Sequence, residues 1–337
     1  MRAAVFNKPG EKLVIKDVAM PDPGEGEVLL KVHRCGICGT DLHMTDEHNS
    51  MCAPPGYILG HERSAEVVAV GKGVERLKVG DHVVPHPTKG CGQCASCKSG
   101  SPYFCVNGPV PWFGGFAEYM TALDASCARL PNTLSLDDAA IIEPLAVGLL
   151  GIECNPFEPG ANIVVIGTGP IGIAAAFWAR QASAGKIAAV ASSRTREHIA
   201  RAVGVDAFFT TGPDLVGELH EYFGGMPDVV LECAGFPGAI ELAVNIVRSQ
   251  GSVNVLGICE HQDPWMPAMA VYKQLRLQFA VGTHLKMFEH AANTLDRGIV
   301  DPLAMVTDII SFEQLPDAFE AMKARGAQCK VVLDPKL

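Results

Sequence analysis

The run Ile163-Val164-Val165-Ile166 is followed at once by Gly167-Thr168-Gly169-Pro170-Ile171-Gly172 and then by an alanine-rich stretch from Ile173 to Ala184. A continuous apolar strand, a G-x-G-x-x-G turn and a helix in direct succession form the fingerprint of a dinucleotide-binding βαβ unit. Gly167 allows the tight turn. Gly169 lets a pyrophosphate approach the amides at the helix N-terminus, and Gly172 permits close packing of helix on strand. The flanking Pro170 and Ile171 belong to the same candidate cofactor-binding turn. Downstream, apolar runs and helical runs alternate: strand Ile187 to Ala191, helix Arg194 to Val203, strand Ala207 to Thr210, helix Leu215 to Phe223. Strand Asp228 to Glu232, helix Gly238 to Val247, strand Ser252 to Leu256 and a last strand near Leu275 to Val281 complete the series. This alternation predicts an α/β doubly wound parallel sheet.

That sheet leaves a long N-terminal stretch unaccounted for, and 337 residues are too many for one hydrophobic core. From Arg2 to about Val84 the pattern changes to short strands broken by glycine and proline turns, which predicts a mostly antiparallel β lobe. A net charge of -10 argues against nucleic acid and anionic membranes as partners, since both need a basic face, and points to a small-molecule substrate. No apolar run reaches bilayer length and Met1 to Gly10 has no signal-peptide core, so a soluble, cytoplasmic protein is expected. Seven of the twelve cysteines fall between Cys35 and Cys105. In a reducing compartment such clustering favours metal ligands or reactive thiols over disulfides.

Two groups of residues carry that expectation. Cys91, Cys94, Cys97 and Cys105 lie in a Gly- and Ser-rich loop, where four thiolates can close a tetrahedral shell around a structural zinc ion. Earlier, Cys35-Gly-Ile-Cys38-Gly-Thr40-Asp41-Leu-His43 follows an apolar strand, and Gly60-His61-Glu62 begins the next strand group. Catalytic zinc takes about three Cys, His or carboxylate ligands and keeps one position open, a set that Cys38, His61 and Glu62 can supply. Cys35 reads as a small core residue.

Taken in order, these motifs, together with Glu143-Pro144-Leu145, make the chain resemble the zinc-containing medium-chain alcohol and polyol dehydrogenases over nearly its whole length. The resemblance implies a GroES-like, mostly β catalytic domain over residues 1–148, to which 285–337 return, and a Rossmann domain over 149–284, with the active site in the cleft between them. It makes Cys38 and His61 ligands of a catalytic zinc. Glu143 stands where the polyol branch has a carboxylate, binding directly or through water, with Glu62 able to exchange with it. Asp41 matches the carboxylate that orients the ligating histidine, and Thr40 and His43 match the hydroxyl and imidazole of a proton relay. The implied reaction is hydride transfer between an alcohol, or its ketone or aldehyde, and a nicotinamide cofactor, with two zinc ions per chain. A zinc-free reductase of the same superfamily is opposed by the presence of Cys38, His61 and both carboxylates. A nucleotide-binding sensor without turnover would be favoured by loss of Thr40, Cys38 or His61, and none is lost.

Finer specificity rests on fewer residues. Trp112, Phe113 and Trp265 are candidates for an apolar pocket, and the segment around Gly282-Thr283-His284 lacks the arginine associated with sugar-alcohol members, which favours simpler secondary or aromatic alcohols. NAD sites carry an acidic residue about 20 residues beyond the glycine motif. Here that neighbourhood runs Ala189-Val-Ala-Ser192-Ser193-Arg194-Thr195-Arg196, with no carboxylate before Glu197. NADP(H) is therefore expected in preference to NAD(H), with Ser192, Ser193 and Arg194 on the 2'-phosphate and Arg196 in reserve. A homo-oligomer, a tetramer before a dimer, is expected through the sheet edge near Leu275 to Val281.

Overall fold

The computed structural model describes residues 1–49, 51–298, 302–324 and 326–337. Two compact units emerge, one formed by Met1–Glu143, Gly282–Arg297 and Val306–Leu337, the other by Pro144–Val281 and Gly298–Met305.

In the first unit a 7-stranded sheet runs Cys127–Arg129, His82–Pro85, Glu62–Val70, Glu27–Gly36, Lys330–Leu333, Val306–Ile310, with Tyr119–Leu123 pairing on Glu27–Gly36. The pairs are antiparallel except for the last, Val306–Ile310 with Lys330–Leu333. Inward-facing Val28, Leu30, Val32, Ala65 and Val67 alternate along the central strands and bury a core shared with Phe116, Phe312 and Phe319. A smaller, 3-stranded sheet joins Val14–Asp17, Arg2–Phe6 and Tyr57–Ile58. Lys330–Leu333 returns to the N-terminal lobe as expected, through Val332 opposite Gly36 and Leu333 opposite Cys35.

In the second unit all six strands are parallel, in the order Ala207–Thr210, Ile187–Ala191, Ile163–Ile166, Val229–Glu232, Ser252–Val255, Arg276–Phe279. Chain order reverses beside Ile163–Ile166, which puts the glycine turn at the switch point where such sheets bind ligands. The helix after the turn spans Pro170–Gln181, a register earlier than the alanine content suggests, because Gly169 is its N-cap and Pro170 occupies the first turn, where a missing N–H does no harm. Its residues from Gly172 to Ala179 are all buried, so the helix is apolar all round. The expected helix from Arg194 instead begins at Glu197, after a turn closed by the Glu197 amide on the Arg194 carbonyl. Elements beyond the sequence reading include the short helix Gly39–His43, the strands Tyr119–Leu123 and Cys127–Arg129, the helix Ile142–Glu153, the helix Pro267–Tyr272 and the strand Val306–Ile310.

Candidate metal centres and cofactor turn

The strand Glu27–Gly36 delivers the chain to Cys38, the N-cap of the helix Gly39–His43. Gly, Thr and Asp are weak helix formers, so this helix depends on its cap: Asp41 accepts the Cys38 amide through Oδ2 at 3.0 Å. The other Asp41 oxygen accepts the Gly60 amide at 3.0 Å and lies 3.2 Å from His61 Nδ1. Asp41 thus joins the two segments that carry Cys38 and His61. With Nδ1 engaged by a carboxylate, the imidazole keeps Nε2 for a metal, the arrangement commonly found behind ligating histidines.

Cys38, His61 and Glu62 bring one ligand atom each within 4.8 Å of one another. Burial alone would favour neutral His61, but the charges and hydrogen bonds of Asp41 and Cys38 prevail and hold its proton affinity well above the ordinary value. This set of sulfur, nitrogen and oxygen donors attracts a cation and suits zinc. Glu143 is buried as well, and burial pushes its carboxyl up to about 7 against the opposing pull of His61. Glu143 lies outside the three-residue cluster. Thr40 is half-buried and His43 exposed, three residues apart on the same short helix.

The structure adds two cations to this neighbourhood that the sequence reading missed. Lys330 is wholly buried and its Nζ lies 2.6 Å from the Glu62 carboxylate, while also donating to the Ile37 carbonyl at 3.1 Å. Burial works against a charged Lys330, yet Glu62 holds its proton more tightly than normal. Arg63 is likewise fully buried, beside Cys35, whose thiol burial raises well above its usual range and keeps protonated. The signal for Lys330 was the return of its strand to the first lobe. Arg63 sits between Glu62 and Ser64, and nothing in that polar run signals its burial.

The sulfurs of Cys91, Cys94, Cys97 and Cys105 also lie within 4.8 Å of one another. Backbone amides are aimed at them, Cys91 to Cys105 Sγ at 3.3 Å and Cys94 to Cys91 Sγ at 3.4 Å. The amides of Gln93 and Cys94 draw the Cys91 thiol down to about 6, whereas burial lifts Cys97 to about 12. Four converging sulfurs, some already poised as thiolates, make a closed shell that fits a tetrahedral zinc ion. None of the twelve cysteines forms a disulfide among the described residues.

In the second unit Gly167 has φ of 91°, and a Cβ on it would meet Ala234 at 2.9 Å. A Cβ on Gly172 would stand 1.8 Å from the Gly167 carbonyl oxygen, while one on Gly169 would meet no described atom within 4 Å. The open side at Gly169 faces the start of a helix, where a phosphate is favoured. Pro170 and Ile171 are half-buried in the first turn. Beyond the second strand, Ser192 and Ser193 are exposed. Arg194 turns away from the glycine loop, with Nη1 2.6 Å from Glu197 and Nη2 donating to the Phe208 carbonyl at 2.9 Å. Arg196 lies toward the loop, its Nη1 3.5 Å from the carbonyl of Thr168 inside the motif. Trp265 is half-buried in this unit, whereas Phe113 of the first unit stacks on His61 with ring centroids 4.4 Å apart.

A parallel sheet with a glycine turn at its switch point, and a β lobe with two clusters whose donor sets suit a metal ion, are the features of the zinc-type dehydrogenase class. Residues 24–132 match the alcohol dehydrogenase GroES-like domain and residues 170–297 the zinc-binding dehydrogenase domain, so the chain belongs to the medium-chain zinc-containing alcohol and polyol dehydrogenase family. It is 31% identical to sorbitol dehydrogenase of Bacillus subtilis (strain 168), covering 99% of this chain and 97% of that one. Among solved structures it resembles a zinc-binding dehydrogenase from Sinorhizobium meliloti 1021 bound to NADP, with 27% identity, a TM-score of 0.88 and 99% of both chains covered. It also resembles 2R,3R-butanediol dehydrogenase from Bacillus subtilis, with 28% identity, a TM-score of 0.87 and 99% of both chains covered.

Proposed function

We propose that this protein is a zinc-dependent alcohol dehydrogenase and carbonyl reductase, using NADP(H) in preference to NAD(H) and acting on small, largely apolar secondary or aromatic alcohols and their carbonyl counterparts. The observation that carries the reading is the convergence of Cys38, His61 and Glu62, with Asp41 holding the histidine's far nitrogen. In this reading Cys38 and His61 hold the catalytic zinc, Glu62 and Glu143 supply carboxylate as ligand or partner, and Cys91, Cys94, Cys97 and Cys105 hold a second, structural zinc. A zinc ion at the first site would act as a Lewis acid, acidifying a hydroxyl in one direction and polarising a carbonyl in the other.

The chain's own residues do the rest. Thr40, half-buried, takes the substrate's hydroxyl proton, and His43, exposed one turn further along the helix, passes it to water. Phe113, stacked on His61, offers an apolar surface that suits a hydrocarbon better than a polyol. Gly167, Gly169, Pro170, Ile171 and Gly172 hold the pyrophosphate, and Ser192 and Ser193 bond a 2'-phosphate. Arg196 moves ahead of Arg194 as the guanidinium partner, since Arg194 has donors committed to Glu197 and Phe208.

A homo-oligomer, tetramer or dimer, is supported by the sheet edge at Arg276–Phe279, where Phe279 is exposed together with Tyr272 and Val271. A cytoplasmic location fits cysteines that form no disulfide among the described residues, and no helix among those residues is long and apolar enough to cross a membrane.

The test is a panel of alcohols and ketones assayed with both cofactors, alongside elemental analysis. Two zinc ions per chain, loss of one with turnover in Cys38→Ser, and a selective rise in the KM for NADPH in Arg196→Ala are expected. Metal-free active protein, or equal efficiency with NADH, would refute the corresponding part.

A further inference from the structure

Arg63 is unusual among the residues around the first metal centre. It follows His61 and Glu62 directly, is 0% exposed, and none of its hydrogen-bond partners is a carboxylate. A buried guanidinium without a counter-ion is costly unless its donors are satisfied, and an apolar residue of similar volume would avoid that cost. The donors of Arg63 instead gather backbone carbonyls. Nη2 donates to Pro85 and His86 at 3.2 and 3.3 Å, and Nη1 donates to Trp112 at 2.6 Å and Gly60 at 3.4 Å. Nε has no partner among the described residues.

The choice of carbonyls matters. Gly60 immediately precedes His61, and Trp112 immediately precedes Phe113. One guanidinium nitrogen therefore joins the peptide before the imidazole to the peptide before the ring stacked on it, whose centroids are 4.4 Å apart. Pro85 and His86, at the end of a sheet strand, give the fork a fixed base. The stem runs past Gly115, where a Cβ would stand 2.6 Å from Arg63 Cγ, so the aromatic loop leaves room for this side chain. A planar fork suits such a task, because its donors diverge at fixed angles.

We propose that Arg63 is a positioning residue for the substrate pocket: it ties the Trp112–Phe113 loop to the His61 strand and so fixes the Phe113 ring as the apolar wall beside the catalytic metal. This rests on the reading of His61 as a ligand of the catalytic zinc. The wall would then belong to substrate selection, and the carbon skeleton of the alcohol, more than its hydroxyl, would sense the loss of Arg63.

The experiment compares the full-length wild type with Arg63→Met, Phe113→Leu and the double variant. Each is assayed with 2-propanol and with 1-phenylethanol, whose ring needs the wall. Arg63→Met should lower the kcat/KM ratio of 1-phenylethanol to 2-propanol by about tenfold, through KM more than kcat. Phe113→Leu should do the same, and the double variant should add nothing to either, because both act on one wall. Zinc content should stay at the wild-type value. Equal losses with both alcohols, additive single effects, or loss of zinc would overturn the proposal.

A readout independent of turnover separates this from a failure of the functional reading. Acrylamide quenching of Trp112 fluorescence, isolated by subtraction of a Trp112→Phe background, should rise at least about twofold in Arg63→Met as the loop loosens. Unchanged quenching would overturn the tether even in a protein that oxidised no alcohol. Should Arg63→Met fail to fold, Arg63→Lys keeps the buried cation but lacks the fork. It should shift quenching and selectivity in the same direction, and wild-type values in both would refute the proposal.

Discussion

The glycines of the dinucleotide turn make one prediction that separates folding from ligand binding. In Gly172→Ala the new methyl would stand 1.8 Å from the Gly167 carbonyl oxygen, where a carbon–oxygen contact needs more than about 3.3 Å. Backbone must therefore move by roughly 1.5 Å, and since the obstacle is main chain and no rotamer relieves it, the cost lies at the upper end of overpacking, about 3 kcal/mol. For a unit of this size that lowers Tm by roughly 6–12 °C. In Gly169→Ala the methyl meets no described atom within 4 Å, and φ at this position is -72°, which alanine adopts freely. Stability should stay within about 0.5 kcal/mol, while a bound pyrophosphate would be pushed from the helix amides, weakening NADPH binding by on the order of tenfold or more. Scanning calorimetry and fluorescence titration with NADPH measure the two effects separately. An unchanged Tm in Gly172→Ala, or NADPH affinity within twofold of wild type in Gly169→Ala, would show that the turn does not work as derived.

Other perturbations address the first unit. Cys97→Ser should remove one of two zinc ions by elemental analysis and cost about 2–5 kcal/mol of stability through lost cross-linking, read as a lower Tm; retention of both ions would contradict a closed four-sulfur site. Burial holds His86 down to about 4 from 6.5, with Nε2 3.0 Å from the Thr283 carbonyl, so the unfolded chain binds a proton between those values that the folded one refuses. Stability from this group is present above pH 6.5 and falls with pH toward 4, by about 3 kcal/mol in all, and His86→Gln should flatten that slope in pH-dependent denaturation. Parallel curves for the two proteins would dismiss the buried imidazole as a source. In metal-free protein, Lys330→Met should destabilise by about 3–5 kcal/mol by leaving Glu62 charged and alone, and adding Glu62→Gln should restore most of the loss. A double variant no better than the single one would argue that the pair is not coupled.

What the sequence disclosed follows the range of the interactions involved. The strand Ala207–Thr210 and the helix Leu215–Phe223 stand where their apolar patterns put them, because burial on one sheet is a local, periodic property. Cys38, His61 and Glu62 were legible for their chemistry, and the four-cysteine loop for its spacing. The helix Gly39–His43 was not, since its stability comes from Asp41 capping Cys38 and not from propensity. Nor was the helix Ile142–Glu153, whose residues are apolar on nearly every side and leave no period to find. Lys330 meets Glu62 across 268 positions of sequence, a pairing that no local pattern encodes. Between Arg194 and Arg196, position in the chain could not decide which one turns to the glycine loop. The turn that ends at Glu197 does, sending the first toward Phe208 and the second toward Thr168.

The strand Lys330–Leu333 has a temporal meaning during synthesis. It pairs with Cys35 and Gly36 at the end of Glu27–Gly36, which leaves the ribosome some three hundred residues earlier; Tyr119–Leu123 can cover the start of that strand long before, so the N-terminal lobe waits with only Cys35 and Gly36 open and with an unanswered Glu62 carboxylate. The parallel sheet between them has all its strands from Ile163 to Phe279 in hand well before that. Vectorial folding would therefore finish the later-made unit first, and the earlier-made one would close last. During that interval the short open stretch at Cys35 and Gly36, opposite the uncompensated Glu62, is where a partner chaperone, or another nascent chain, would find purchase.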